Sequence, residues 1–154
     1  METSGTKWFK RSAIYISVTI TVVIILSVFS RIDNWKRDLT TNHARLSDDA
    51  SDELLRPPLV SGTPLAVADQ IVEWVKQQGR WEYVNQSDVD SVVEMKLTRT
   101  TPVMRFTDDI DVVLRAEGNS TRVQAESQSR VGKGDLGQNP RNLKELVGYL
   151  MQAG

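Results

Sequence analysis

A chain of 154 residues with a formal net charge of −1 has room for one domain and offers no global basic field to attract nucleic acid. The absence of cysteine excludes disulfides, thiol catalysis and thiolate metal sites. The single histidine, His43, puts metal centres built from several imidazoles out of reach, so no metal or cofactor is expected.

In chain order, a basic tail over residues 1–11 leads into a segment free of charge from Ser12 to Ser30. Such a run rises roughly 28 Å as a helix, near the hydrocarbon thickness of a bilayer. Its hydroxyl residues Ser17, Thr19, Thr21 and Ser27 can bond to the preceding helical turn. Trp8, Phe9 and Trp35 flank the run as interfacial anchors would. The sequence therefore predicts a transmembrane helix over 12–30, with the lipid bilayer as its partner. A cleaved signal peptide is the nearest rival, because Lys7, Lys10 and Arg11 precede the run and Val28-Phe29-Ser30 loosely resembles a cleavage site. The length of the run and its β-branched residues favour an uncleaved signal-anchor. Arg31, Lys36, Arg37 and Arg45 follow the run, so counting positive charges does not fix its direction. The short basic tail favours an inside N-terminus. That places the rest of the chain outside the cytoplasm, in the periplasm if the source is bacterial.

Residues 31–62 lack periodicity and read as a linker, acidic over Ser47–Glu53 and stiffened by Pro57-Pro58. His43 lies there with no Ser/Asp pair nearby. The domain is expected over 63–154. Thr63 can cap a first helix, Pro64 suits its first position and Gly79 its end, while Val67, Ile71, Trp74 and Val75 form one apolar stripe. Trp81–Val84 reads as a short strand, ended by Asn85–Asp88. Period-two alternation then marks three more strands: Val93, Met95 and Leu97; Ile110, Val112 and Leu114; and, after a turn at Glu117-Gly118-Asn119, Thr121, Val123 and Ala125. The closing helix has Asn139 as its cap, Pro140 at its first position, and Leu143, Leu146, Val147 and Leu150 on one face. The order α-β-β-β-β-α gives an α+β fold: an antiparallel sheet of about four strands with two helices packed on one face, preceded by the transmembrane helix.

Two stretches carry a resemblance. Phe106-Thr-Asp-Asp-Ile-Asp-Val-Val-Leu114 and Ser127-Gln-Ser-Arg-Val-Gly-Lys-Gly-Asp-Leu-Gly-Gln-Asn139 resemble DUF1499, a family of unknown function found in bacteria and photosynthetic eukaryotes. The resemblance covers roughly residues 63–150 and implies a domain without implying an activity. Many relatives carry a cysteine-containing segment before the first helix. Arg56-Pro-Pro-Leu-Val-Ser61 stands there in this chain, so nothing that depends on those cysteines carries over.

The densest polar cluster runs from Ser127 to Asn139. Its glycines suit a compact turn, in which Arg130 could pair with Asp108, Asp109 or Asp135 and hold the turn against a strand end. A second reading is a polar or anionic ligand site built from Asp108, Asp109, Ser129, Arg130, Lys133, Asp135 and Asn139, where loop N–H groups near a helix N-terminus receive an anion. The spacing fits neither a phosphate-binding P-loop nor an EF-hand. No catalytic residue is assigned, since Asp108 and Asp109 alternate to opposite faces of a strand. The leading expectation is a membrane-anchored, extracytoplasmic, non-enzymatic binding or accessory module of the cell envelope, whose partner is an envelope protein or a small anionic ligand. One alternative is a carboxylate-dependent enzyme using Asp109, Arg130 and Asp135. The other is a structural subunit of a membrane complex.

Overall fold

A computed structural model describes residues 4–30, 35–102 and 104–153. Helix α1 (Ser4–Phe29) and the short α2 (Trp35–Thr40) come first, then strand β1 (His43–Arg45), a 3-10 turn (Glu53–Leu55) and β2 (Leu59–Ser61). Helix α3 (Pro64–Gln77) leads into four longer strands, β3 (Trp81–Val89), β4 (Val92–Thr100), β5 (Thr107–Glu117) and β6 (Ser120–Ser129), and α4 (Gln138–Ala153) closes the chain.

Strands β3 to β6 form an antiparallel meander, as the alternating pattern requires. The β3–β4 hairpin turns on Asp90 and Ser91, both at positive φ (52° and 63°), the backbone sign of the primed two-residue turns that match strand twist. The β5–β6 hairpin turns at Gly118, with φ 64°. At the far edge, β6 pairs with two short strands. β1 runs beside Glu126–Gln128 and β2 beside Ser120–Arg122.

Two expectations about the architecture need correction. The sheet has six strands, not about four, because segment 31–62 supplies β1 and β2. Each is three residues long, too short for alternation to show, and each is held by its β6 partner. Also, among the described residues no helix is long and apolar enough to cross a membrane. The expected transmembrane helix over 12–30 is corrected accordingly. With it go the signal-anchor, the bilayer partner, the single-pass membrane location, and the membrane-anchored, extracytoplasmic envelope role. The side chains of Phe9 and Trp35 lie outside the described residues.

Helices α3 and α4 lie on one face of the sheet, as expected. Thr63 caps α3 by accepting the Ala66 N–H, with Pro64 at the first turn. Val67, Ile71, Trp74 and Val75 of α3 and Leu143, Leu146, Val147 and Leu150 of α4 bury their apolar stripes against the inward residues of β4, β5 and β6. Each fully buried Leu or Ile contributes about 1.5–3 kcal/mol of transfer free energy, so these two stripes supply much of the drive to fold. Gly79 is not in the left-handed conformation expected of a helix-ending glycine. α3 stops at Gln78 instead, whose N–H reaches the Val75 carbonyl.

Candidate functional site

The inward parity of the strands does not end where their apolar residues do. After Val93, Met95 and Leu97 the next inward position of β4 is Arg99. Before Ile110 on β5 it is Asp108, and after Ala125 on β6 it is Ser127 and Ser129. Arg99 lies opposite Asp108, and Asp108 opposite Ser129, so one end of the core is paved with polar groups. Helix α4 covers them with Asn139, Asn142 and Glu145, spaced three apart on its inner face.

Apart from Arg99 Nε, these groups satisfy one another. The Ser129 hydroxyl donates to Asp108 Oδ1 at 2.6 Å, and Asn142 Nδ2 donates to Asp108 Oδ2 at 2.9 Å and to Ser127 Oγ at 3.1 Å. The Ser127 hydroxyl donates to Asn139 Oδ1 at 2.6 Å. Asn139 Nδ2 donates to Ser129 Oγ and to the Asn42 carbonyl. Asn142 Oδ1 accepts from Arg99 Nη1 at 3.0 Å and from Gln138 Nε2 at 2.7 Å. Both amides thus use every donor they have. A buried polar network is stable only when it is complete in this way.

The residues singled out by sequence divide into three groups. Asp108, Ser129 and Asn139 belong to the buried network. Asp109 points to the opposite face of β5 and takes both its hydrogen bonds from Arg130, at 2.7 and 2.9 Å. That guanidinium holds the Asp109 carboxyl below the usual carboxylate range, and Asp109 in turn raises Arg130. Asp135 accepts the Gly137 N–H through Oδ1 and the Asn139 N–H through Oδ2, so it does the capping work expected of Asn139 and frees the Asn139 side chain for the network. Lys133 is exposed. No hydrogen bond or ion pair joins Asp135 to the Asp109–Arg130 pair, and all six oxygens of the three aspartates are engaged. A carboxylate-dependent reaction at this group would first have to break those bonds. No cluster of His, Cys, Asp or Glu among the described residues could hold a metal ion.

The glycine-rich turn is occupied by the chain's own N-terminal segment. Leu136 N–H donates to the Asp38 carbonyl, and Asn42 Nδ2 donates to the Gly132 carbonyl at 3.0 Å. Asp38 is fully buried as a result.

Beyond the network, on the far side of Arg99, lies a cavity of about 300 Å³ lined by Gln78, Gly79, Arg80, Trp81, Arg99 and Glu145. Arg99 Nη2 pairs with Glu145 Oε2 at 2.7 Å, and the guanidinium carbon sits 5.8 Å from the Trp81 ring centroid. Two buried donors of these side chains, Trp81 Nε1 and Arg99 Nε, have no acceptor and no surface open to the cavity. An unpaired buried donor costs about 1–3 kcal/mol. Sequence reasoning missed this site. The available signal was the charge at Arg99, on the inward parity of an otherwise apolar strand face.

No curated protein and no solved structure matches the chain. A family model does match, over residues 36–150, from the start of α2 to the last turns of α4. That span includes the strands and turns expected as linker as well as the buried network and the cavity wall. The chain therefore belongs to DUF1499, a family of proteins of unknown function.

Proposed function

We propose that the domain is a binding module for a small anionic molecule, received in the cavity between the start of β3, the end of β4 and α4. The observation that carries this reading is a cavity wall that holds two arginines, Arg80 and Arg99. A carboxylate or phosphate is the natural partner for guanidinium groups, since a charge-assisted hydrogen bond is roughly twice as strong as a neutral one. The charges of the lining agree. Arg80 and Arg99 face a single acid, Glu145, which already pairs with Arg99, so the site carries a surplus positive charge. The cavity volume lies at the small end of the range for ligand sites, which suits a small acid.

The reading is tested by titrating the full-length protein with acetate and with inorganic phosphate while following the Trp81 indole N–H by NMR. A saturable shift at Trp81, which lines the cavity, is expected, and Arg99→Met should abolish it. If neither anion moves the Trp81 resonance at millimolar concentration, the reading is wrong.

A further inference from the structure

We infer that the end of the domain formed by the β4–β5 and β6–α4 turns docks an amphipathic acidic helix of a partner protein. The inference does not depend on the anion-binding reading above. It starts from five apolar side chains, Leu39, Met104, Phe106, Val131 and Leu136, each 41% exposed or more. None of the five belongs to the core or packs against it. The backbone gathers them. Arg130 N–H donates to the Thr107 carbonyl, which sets Val131 beside Phe106, and Leu136 N–H donates to the Asp38 carbonyl, which sets Leu136 beside Leu39. Met104 stands in the same turn as Phe106, closed by the Thr101 N–H on the Phe106 carbonyl. Exposed apolar clusters rimmed by polar groups mark interaction surfaces.

Leu136 sharpens the point. It sits at φ 52°, in the left-handed region where a bulky side chain is strained and glycine is not. The chain nevertheless holds a leucine there with its side chain in solvent. Charge then selects the partner. Arg105 and Lys133 are exposed on the two turns, and among the described residues no hydrogen bond or ion pair holds either. The acids at this end are engaged or buried: Asp135 accepts two backbone N–H groups, Asp109 pairs with Arg130, and Asp38 is fully buried. Two copies meeting through this surface would set cations against cations, which disfavours self-association. Two free cations also fall short of the roughly four to eight clustered where anionic lipid is recognised. The backbone groups of Thr101, Phe106, Thr107, Arg130 and Leu136 already bond within the chain, so side chains are left to do the recognising. A helix, with its own backbone satisfied, meets such a surface with an apolar stripe, and carboxylates beside that stripe answer Arg105 and Lys133.

The experiment titrates the full-length protein with two synthetic helical peptides, followed by NMR. Both carry leucine at helical spacing; one has glutamate between the leucines and the other lysine. Shifts are expected at Phe106, Val131 and Leu136, with the glutamate peptide bound about tenfold tighter than the lysine peptide. Arg105→Glu combined with Lys133→Glu changes only exposed side chains and should reverse that order. Leu136→Gly relieves the left-handed leucine, so it should unfold no earlier than wild type while weakening the glutamate peptide. Equal affinity for the two peptides, or no shift at these residues with either, would overturn the proposal. Shifts at the same residues with phosphatidylglycerol vesicles but not with the glutamate peptide would overturn it in favour of a lipid surface. Shifts that grow with protein concentration alone would do so in favour of a second copy.

Discussion

Gly134 presses directly against the backbone of Leu39: a Cβ at position 134 would lie 2.6 Å from both the carbonyl carbon and the carbonyl oxygen of that residue. The contact joins the turn before α4 to the segment that begins the family match, almost a hundred positions earlier. It fixes the meaning of this glycine, which is close approach and not an unusual φ.

Gly134→Ala is therefore expected to destabilise the protein by about 1–3 kcal/mol, the usual cost of overpacking against an atom that cannot yield. The loss should be local as well as global. Hydrogen exchange at Leu136, whose N–H is bonded to the Asp38 carbonyl, should accelerate more than exchange at the β4–β5 core. Wild-type stability in Gly134→Ala would mean that α2 does not sit against the turn.

That relationship also shows where sequence reading stops. The helices α3 and α4 and the strands β4 to β6 were legible because their apolar residues recur at 3.6 and 2.0, and their burial follows those periods. The polar turn was legible as a cluster, but its partner was not. Asn42 meets Gly132 and Asn139 across 90 and 97 residues, a pairing that no local pattern encodes. β1 and β2 were hidden for the same reason, each being extended only because β6 is there to pair with it. Asp108 and Asp109 were correctly expected on opposite faces. What separates their roles is burial: Asp108 is 1% exposed, whereas the Asp109 side chain is 46% exposed.

Replacing Asp108 should test the buried network at its most connected acid. Asp108→Ala strands the Ser129 hydroxyl and one Asn142 amide hydrogen, each at about 1–3 kcal/mol, so a loss of roughly 2–6 kcal/mol is expected. Urea denaturation should show a lower midpoint with an unchanged slope. Asp109→Ala, which breaks a solvent-exposed pair, should cost far less. Equal losses in the two variants would contradict the division drawn between them.

Acid sensitivity follows from three carboxylates held below their ordinary range. Asp52 is lowered by its hydrogen bond from Lys144 and then by the Leu54 N–H, Asp109 by Arg130, and Glu117 by Arg122. A depressed folded-state pKa means that the unfolded chain binds more protons as pH falls. These groups therefore stabilise the fold at neutral pH, and that contribution is lost as pH drops below about 4. Asp52→Asn should be less stable than wild type at pH 7, with the two converging in acid. Denaturation midpoints measured between pH 7 and pH 2.5 check this, and a gap that widens in acid would reverse the sign assigned here.

Arg99 offers the sharpest separation of stability from function. It is 9% exposed, its Nε has no acceptor, and its ion-pair partner Glu145 is open to water. Burying a guanidinium that is only partly satisfied is costly, and a well-packed apolar replacement of similar length often matches or exceeds such a group in stability. Arg99→Met keeps volume beside Trp81 and removes the orphan donor. It leaves Asn142 Oδ1 with its Gln138 bond, and Glu145 can turn to solvent. Its unfolding free energy should fall within about 1 kcal/mol of wild type, on either side, while the response of Trp81 to anions disappears. Had Arg99 served only to hold β4 against α4, the same substitution would cost roughly 3–5 kcal/mol, the penalty for breaking a buried pair that the fold depends on. A residue that the fold can lose at little cost and binding cannot is one retained for its ligand. Denaturation and anion titration of the same variant decide between the two.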